Sequence, residues 1–463
     1  METVSKPAAA ARVLAVRPVG TTAVLAELSG LHDVLALQAL LLEQPLPGQV
    51  DVLAAAETVM VKADSPAAAR RMAARLLEID LTVQSHAEGR LVQIETVYDG
   101  DDLAEVGRLT GLGADGVIAA HTGQVWTVAF GGFAPGFSYM VGENQVLEVP
   151  RRSSPRTAVP AGSVALAGNY SAVYPRKSPG GWQLIGRTAA PMWDLGREQP
   201  ALAAPGDRVQ FHAVRELIEV ANTKVGAADS EAIAAQEPEI QSGLRILSPG
   251  LQSLIQDLGR PGHAGLGVSS AGALDRSSLR RANRIVGNDP SAAVVESVAG
   301  GLRVQSVGDQ VLAVAGAPSA LTVVTPSDVP DSVAPEEEGD RSEFDWSEQL
   351  REVPMATAFA LLDGEILTIG AADRGFRSYL AIRGGAAADA VLGSRSTDTM
   401  SGIGPAPLAA GQLLGAGAAT SSNVVGNPEL QPDFPDTGVT VLDIVPGPRD
   451  DWFDGAALES LCA

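Results

Sequence analysis

Five short apolar runs decide the fold of this chain: WTVAFGGF (126–133), SVALAG (163–168), YSAVYP (170–175), WQLIGRT (182–188) and DRVQFHAV (207–214). The runs are six to eight residues long and are broken by Gly and Pro. Strands this short, with turn residues between them, are typical of a β-barrel or sandwich. We therefore predict a mainly β module over residues 98–221, entered through two short helices in DDLAEVGRLTG and GADGVIAAHT.

The residues on either side predict two further modules. Residues 1–97 alternate strand-like and helix-like stretches, with Ser65 as a helix N-cap and Pro66 at the first helical position. Their βαββαβ order, closed by RLVQIETVY, predicts a small ferredoxin-like α+β domain. A second β-rich module is expected over 243–463, with one helix in SSLRRANRIVG that stops at Gly287. Residues 377–385 (RSYLAIRGG) are expected to form a core strand and its exit turn.

Two polar stretches are expected to separate or interrupt these modules. Residues 222–242 are small, polar and acidic, and we interpret them as an interdomain linker. Residues 327–353 carry ten acidic and two basic side chains. We interpret them as a mobile surface insertion, and expect proteases to cut first in these two stretches.

Composition excludes several classes of function. The 463 residues are 45% hydrophobic, which is enough for large cores, and 55 acidic against 33 basic side chains give a net charge of −22. Only four lysines are present, so binding to a nucleic acid is not expected. The single Cys462 and five scattered histidines predict no metal site. Without a leader or a long apolar run, we expect a cytoplasmic protein that contacts no membrane.

No motif of a familiar catalytic machinery is present. The chain lacks G-x-x-x-x-G-K-[ST], H-E-x-x-H and G-x-S-x-G. Three other segments are dense in functional residue types. In FGGFAPGFSYM (130–140), Phe133, Phe137 and Tyr139 can line a pocket shaped by Pro135 and Gly136, or can plug the core of a barrel.

The second dense segment, 150–182, contains Arg151, Arg152 and Arg156, which can capture a carboxylate or phosphate. They can equally pair with the acidic groups of the protein itself. SPGGW (178–182) is interpreted as a tight turn whose amides bind an anion. The third segment, 249–288, places Gln256, Asp257, Arg260, Asp275 and Asn283 among glycines, either as a site or as ties between loops.

These motifs resemble two related families. GGFAPGFSYM, PRRSSPR, VPAGSVALAG, SPGGW and IGRT resemble the family called allophanate hydrolase subunit 1, Kip kinase inhibitor or the B subunit of 5-oxoprolinase, and His121 matches a histidine of that family. From PGLQSLIQDLGR onward, with GALD, ANRIVGN, RGFRSYLAIRGG and LGSRST, the chain resembles allophanate hydrolase subunit 2, Kip antagonist or the C subunit of 5-oxoprolinase. The resemblance thus indicates a fused B–C protein.

The resemblance implies two cyclophilin-like β-barrel modules behind the small α+β domain. It implies ATP-dependent hydrolysis of the lactam of 5-oxoproline to glutamate, for which a separate A subunit is required. ATP with Mg²⁺ as its counter-ion is expected, and no tightly bound cofactor. Two alternatives stay open: a regulatory binding module of the kinase inhibitor and antagonist type, and an accessory domain of urea carboxylase or allophanate metabolism.

Site candidates follow from the dense segments and the resemblance together. The catalytic candidates are His121, Arg156, Asp257 and Arg260. The candidates for binding substrate or nucleotide are Phe133, Pro135, Gly136, Phe137, Tyr139, Arg152, Ser163, Ser178, Gly180, Gly181, Trp182, Gln256, Asp275, Asn283, Arg377, Ser394, Arg395, Ser396 and Thr397. We also expect Phe137, Tyr139, Arg156 and Trp182 to converge on one cavity.

The last expectation concerns the second barrel. The family that the second module resembles normally continues beyond IVPGPRDDWFDGAALESLCA, so this barrel is expected to lack its final strands. Apolar surface should then stay uncovered near a strand VTVLDIV (439–445), and self-association is the expected remedy.

Overall fold

The computed structural model describes residues 12–81, 89–217, 242–326, 350–419, 423–431, 433–435 and 438–462. The chain forms two compact units. The first comprises Met1–Asn222, Pro261–Ser269 and Asp443–Ala463, and the second comprises Thr223–Arg260 and Ser270–Leu442. The predicted linker lies outside the described residues except for Ser242.

The first unit begins with a four-stranded antiparallel sheet in the order β1-β2-β4-β3, accompanied by two helices. Its apolar faces meet in one core that includes Leu37, Leu41 and Met72. Ser65 caps the second helix by accepting a hydrogen bond from the Ala68 amide, as predicted. The elements are β1 (Ala15–Val19), β2 (Ala23–Glu27), α1 (Leu31–Glu43), β3 (Gln49–Ala54), β4 (Thr58–Ala63) and α2 (Pro66–Leu77).

A seven-stranded sheet follows in the order β12-β9-β10-β7-β6-β13-β5. Its two outer strands approach each other at one point, where Val97 and Arg187 exchange backbone hydrogen bonds of 2.9 and 2.8 Å. The sheet is therefore nearly closed, which confirms the predicted barrel. Its strands are β5 (Leu91–Thr96), β6 (Trp126–Gly131), β7 (Ser138–Gly142), β9 (Ser163–Ala167), β10 (Tyr170–Val173), β12 (Gln183–Arg187) and β13 (Arg208–Ala213).

Smaller elements complete the first unit. The two predicted helices are present as α3 (Leu103–Thr110) and α4 (Gly113–Thr122). A separate two-stranded ribbon pairs β8 (Arg156–Val159) with β11 (Ser178–Gly180). SPGGW was thus wrongly predicted as a tight turn: its first three residues form a strand, because β8 supplies a hydrogen-bonding partner that the local sequence does not reveal.

The prediction for residues 90–98 was also wrong in part. RLVQIETVY does form a strand, but β5 does not close the small α+β domain. It pairs in parallel with β13, Leu91 opposite Arg208, and its Ile94 side chain is buried in the barrel core. A parallel partner more than 100 positions away leaves no mark on the local pattern.

The second unit consists of two sheets with a shared core. A six-stranded sheet has the order β20-β19-β22-β17-β14-β24, and a five-stranded sheet has the order β15-β16-β23-β18-β21. Leu244, Val304 and Leu367 of the first sheet pack against Val295 and Leu380 of the second. The strands are β14 (Gly243–Pro249), β15 (Gln252–Gln256), β16 (Val294–Val298), β17 (Leu302–Val307), β18 (Gln310–Gly316), β19 (Ser319–Val324), β20 (Leu350–Glu352), β21 (Phe359–Leu361), β22 (Ile366–Ala372), β23 (Arg377–Ile382) and β24 (Leu413–Gly415).

The predicted helix of this unit is α5 (Arg276–Val286), which ends at Gly287 in the left-handed conformation. It packs on the outer face of the five-stranded sheet, so that sheet is buried on both sides. The predicted strand 377–385 is confirmed by β23, with Gly384 and Gly385 at positive φ after it. Together the two units confirm the mainly β class.

Two expectations about polar and terminal stretches can be compared with the structure. Of the predicted insertion 327–353, only 350–353 are described, and β20 there pairs with β19 rather than forming part of a loop. Residues 439–445 form no strand, because no described strand pairs with them, and Val439 and Val441 are exposed as expected. A last helix, α6 (Gly455–Cys462), follows. No helix among the described residues is long and apolar enough to cross a membrane.

Candidate functional site

A buried aspartate organises the arginines of the first unit. Asp102, at the start of α3, accepts hydrogen bonds from Arg152, from both terminal nitrogens of Arg156 (2.8 and 3.0 Å) and from the Leu184 amide (2.8 Å). Burial raises the pKa of Asp102, but the Arg156 and Leu184 bonds and the arginine charges outweigh it, so the pKa is lowered. Arg152 and Arg156 are therefore engaged by an acid of the protein itself.

Aromatic side chains pack beside this group. The rings of Phe137, Tyr139 and Trp182 contact one another with centroid distances of 5.0–5.6 Å. Tyr174 packs edge-on to Phe137 at 5.3 Å. Burial raises the pKa of its hydroxyl, although the nearby charges of Arg151 and Arg156 act in the opposite direction. The structure thus brings the aromatic candidates and Arg156 into one region of the barrel.

The loop that carries the first aromatic residues is shaped by its backbone. Phe133 has a φ of 65° and an exposed side chain, and Gly136 has a φ of 77°. A Cβ at Gly136 would lie 2.7 Å from the Met192 carbonyl oxygen, so only glycine fits there. Pro135 and Phe137 are buried, which leaves Phe133 as the ring of this loop that faces solvent.

Four other candidates of this unit belong to its framework. Ser163 begins β9 and is buried, and Ser178 and Gly180 lie in β11. Gly180 is required by Tyr174, whose hydroxyl would lie 2.3 Å from an added Cβ. The Gly181 carbonyl accepts the amide of Arg152 at 2.8 Å.

His121 lies inside the barrel and is fully buried. Its Nδ1 is 2.7 Å from the Tyr98 hydroxyl and its Nε2 is 2.9 Å from Ser171 Oγ. Burial lowers its pKa to about 3, so the imidazole is neutral near pH 7. Both ring nitrogens are thus engaged inside the barrel, where His121 links Tyr98 to Ser171 of β10.

The second unit contains a matching aspartate. Asp257, directly after β15, accepts hydrogen bonds from Ser394 Oγ and Ser396 Oγ (both 2.6 Å), the Arg395 amide (2.6 Å) and the Gly259 amide (2.7 Å). Burial raises the pKa of Asp257, but these donors prevail and the pKa is lowered. All its partners are neutral, and three of them belong to the loop 391–398.

The same loop is held by two further candidates. Arg260, which is 1% exposed, donates through Nε to the Val391 carbonyl (3.2 Å) and through Nη2 to the Ser396 carbonyl. Gln256 donates to the Thr397 carbonyl at 3.0 Å. Arg260 Nη1 is buried and has no hydrogen-bond partner in the described part of the chain. Burial lowers the pKa of Arg260.

Arg395 belongs to the loop 391–398 and lines a cavity of about 530 Å³. Arg395 is exposed, and its Nε donates to the Ala388 carbonyl at 2.8 Å. Asn283 supports one wall by donating to the Ala292 carbonyl (2.8 Å). The lining residues are Ala292, Ala293, Gly384, Gly385, Ala386, Ala387, Ala388, Asp389, Arg395 and Gly417.

Two candidates of this unit lie elsewhere. Asp275 caps α5 by accepting the Ser278 amide at 3.0 Å, and Arg377 pairs with Glu296 at 3.2 Å. Neither lines the cavity. Sequence reasoning missed Asp102 and Tyr174 as organising residues, and missed Asp389. An acid at the start of a predicted helix was the one local signal for Asp102.

Comparison with known proteins defines the class first. Residues 14–203 match the family model described as carboxyltransferase domain, subdomain C and D, and residues 266–463 match carboxyltransferase domain, subdomain A and B. The crystal structure of TTHA0988 superposes with a TM-score of 0.74 at 32% identity, covering 93% of this chain and 79% of that one. The fold is therefore that of carboxyltransferase-domain proteins.

Curated relatives define the family more narrowly. The 5-oxoprolinase B subunit of Bacillus subtilis (strain 168) is 36% identical over 192 residues, 38% of this chain and 79% of that protein. The 5-oxoprolinase C subunit of Escherichia coli (strain K12) is 34% identical over 161 residues, 35% of this chain and 44% of that protein. The chain spans 61% of the length of the B subunit from Escherichia coli O157:H7, at 43% identity over 132 residues. The chain belongs to the family of the 5-oxoprolinase B subunit. A portion that resembles the C subunit follows, consistent with a fused B–C protein.

Proposed function

We propose that this chain is the fused B–C component of an ATP-dependent 5-oxoprolinase that works together with a separate A subunit. The observation that carries the proposal is that a portion similar to the B subunit is followed in the same polypeptide by one similar to the C subunit. Proteins related to two subunits of one enzyme gain a fixed stoichiometry and a high effective concentration when they are joined.

The chemistry sets what the complex must supply. The lactam of 5-oxoproline is an unstrained amide, so its carbonyl carbon resists attack by water. Transfer of the γ-phosphoryl group of ATP to the amide oxygen releases ADP. Water then attacks that carbon, and the C–N bond breaks as the nitrogen takes up a proton, which leaves an acyl phosphate. A second water hydrolyses the acyl phosphate to glutamate and phosphate. These steps develop negative charge that cationic groups and backbone amides stabilise.

The arginines of the two units differ in whether their guanidinium groups are already paired with an acid of the protein. Arg152 and Arg156 are both ion-paired with Asp102, whereas Arg395 keeps its terminal nitrogens unpaired within the described residues. Arg395 is therefore the favoured contact for an anionic substrate, and Arg260 and Asp257 are the residues that position it. ATP with its Mg²⁺ is proposed as the co-substrate of the complex, and we assign none of the described residues to it.

Co-purification with a protein of the A-subunit type tests the proposal. The full chain and that protein are mixed, and glutamate and phosphate release from 5-oxoproline are followed with and without ATP and Mg²⁺. We expect turnover only when all components are present, with one phosphate per glutamate. Turnover at the same rate without this chain would reject an enzymatic role and favour a regulatory module. ATP-dependent carboxylation of urea in its place would favour the accessory-domain alternative.

A further inference from the structure

The cavity of the second unit has the dimensions of a small-molecule site. Its volume of about 530 Å³ lies within the range of roughly 300–1,000 Å³ that is usual for ligand pockets. Its walls are glycine and alanine apart from two charged residues, Asp389 and Arg395. Small walls let a ligand approach the backbone closely, and they offer no aromatic face for stacking a nucleotide base.

Arg395 is fixed before any ligand arrives. Its amide is bonded to Asp257 and its Nε to the Ala388 carbonyl, while Arg260 holds the carbonyls on either side of it at 391 and 396. The two terminal nitrogens of Arg395 donate no hydrogen bond within the described residues. A guanidinium anchored at Nε and free at its terminal nitrogens is prepared for a carboxylate, because little side-chain entropy is lost on binding.

The part of the cavity lining that contains Gly384 and Gly417 is also fixed by polar contacts. Asn288 accepts the Gly384 amide at 2.8 Å and donates to the Ile382 carbonyl at 2.8 Å. Gly384 has a φ of 95°, and a Cβ there would lie 1.9 Å from the Gly417 carbonyl oxygen. The wall therefore depends on glycine and keeps its shape without help from large side chains.

The charge of the lining decides between ligand classes. One arginine and one aspartate sum to zero, and the two make no ion pair with each other in the described structure. A triphosphate requires several cationic or amide donors for its charge of about −4. A monocarboxylate requires one guanidinium, and Asp389 can accept a hydrogen bond from an N–H of the same ligand.

We propose that this cavity binds a small cyclic amide with one carboxylate, its carboxylate on Arg395 and its ring N–H directed to Asp389. The cavity itself offers one guanidinium for a carboxylate and one carboxylate for an N–H. The identification of the ligand as a cyclic amide, 5-oxoproline, rests on the proposed function. The second unit would thereby hold the substrate, while the nucleotide is bound elsewhere in the complex.

Calorimetric titration of the full chain tests this assignment. The probes are 5-oxoproline, 2-pyrrolidinone, which is the same ring without the carboxylate, and ATP. We expect 5-oxoproline to bind at least about tenfold more tightly than 2-pyrrolidinone, since a charge-assisted pair is lost in the latter. Arg395→Met should weaken 5-oxoproline binding by about tenfold or more and leave 2-pyrrolidinone unchanged.

A control variant and a second substitution in the cavity test whether the loss of binding is specific to this site. Arg280→Met removes an exposed arginine of α5 outside the cavity lining and should leave binding unchanged. Ala292→Leu should weaken binding by filling the cavity, without any change of charge. Equal affinity of the unmodified and Arg395→Met chains for 5-oxoproline would overturn the proposal, as would absence of binding or Arg395-dependent binding of ATP.

The two proposals can fail separately. If the chain binds 5-oxoproline through Arg395 but the complex shows no ATP-dependent turnover, the proposed function fails and the cavity assignment stands. If turnover is observed and Arg395→Met changes neither substrate binding nor the KM for 5-oxoproline, the cavity assignment fails and the proposed function stands.

Discussion

Asp102 and Asp257 are buried carboxylates with lowered pKa values, one in each unit, and they use their charge differently. Asp102 is ion-paired with two arginines, so its charge is spent on positive groups of the protein itself. Asp257 is satisfied by hydroxyl and amide donors only, and the arginines near it keep their charge. The difference shows why a cluster of arginines in the sequence does not by itself identify an anion site: the partners of each arginine decide it.

The largest expected effect on stability comes from removing the carboxylate of Asp257, whose hydrogen-bond partners are all neutral. Asp257→Ala leaves two hydroxyls and two amides without an acceptor in a buried place, which should lower the free energy of unfolding of the second unit by about 4 kcal/mol. Hydrogen–deuterium exchange should show the loss in loop 391–398 and in β15. Asp373→Ala, at an exposed aspartate of the same unit, should change it by less than about 0.5 kcal/mol. A similarly small effect of Asp257→Ala would mean that the loop is held by other contacts.

A second prediction concerns His121 of the first unit. Among the described residues, the second unit contains no buried histidine. The pKa of His121 is about 3 in the folded chain and about 6.5 when unfolded, so below pH 6.5 the unfolded state binds more protons. The free energy of unfolding of the first unit should therefore decrease as the pH is lowered. His121 alone should account for a decrease of about 3 kcal/mol from pH 7 to pH 4. Trp126, whose ring is 4.9 Å from His121, serves as the fluorescent reporter.

His121→Phe provides the comparison for that pH dependence. The variant should be less stable at pH 7, because Tyr98 and Ser171 lose a partner, but its stability should change less between pH 7 and pH 4. The second unit, followed by hydrogen exchange of β16, should show no matching loss at pH 5–6.5. Identical pH profiles of the unmodified chain and the variant would contradict the burial of a neutral imidazole.

A smaller effect on stability is expected at Asp102, the carboxylate that pairs with arginines. Asp102→Asn removes the counter-charge of Arg152 and leaves Arg156 with only the exposed Asp101, and we expect a loss of about 2–3 kcal/mol in the first unit. Because the pKa of Asp102 is lowered by folding, its contribution is present above about pH 4 and disappears as the pH falls through the folded pKa. Denaturant unfolding at pH 7 and pH 3 measures both values.

The neighbouring aspartate is the matched control for this change. Asp101 is exposed and lies 3.6 Å from Arg156, so Asp101→Asn should cost less than about 1 kcal/mol at pH 7. Equal effects at positions 101 and 102 would show that Asp102 is no more than one surface charge among several.

The smallest expected effect concerns the contact between the ribbon and the aromatic group of the first unit. Gly180→Ala places a methyl group against the Tyr174 hydroxyl and should destabilise this unit by about 1–2 kcal/mol. Gly30→Ala, at a glycine with open space around its Cβ position, should change stability by less than about 0.5 kcal/mol. Thermal unfolding followed by tryptophan fluorescence compares the two. If both variants unfold alike, the close approach of Tyr174 is absent in solution.

Local sequence determined much of the secondary structure. Ser65 and Pro66 specified where a helix begins, and Gly287 where another ends, because capping depends on neighbouring residues alone. Short apolar runs between glycines and prolines specified the strands of the barrel, because turn residues mark where a strand ends. The motifs also sufficed to identify the family, since they resemble two families whose relatives the chain matches. The expected self-association and the domain boundaries stay predictions.

The tertiary structure decided which groups act together. Asp102 finds Arg156 54 positions away and Asp257 finds Ser394 137 positions away, distances over which no periodic pattern extends. Parallel pairing with β13 also places β5 in the barrel, and the barrel core fully buries His121. Burial and pairing depend on the whole folded chain, so the charge state and availability of a side chain, which determine its function, were fixed only there.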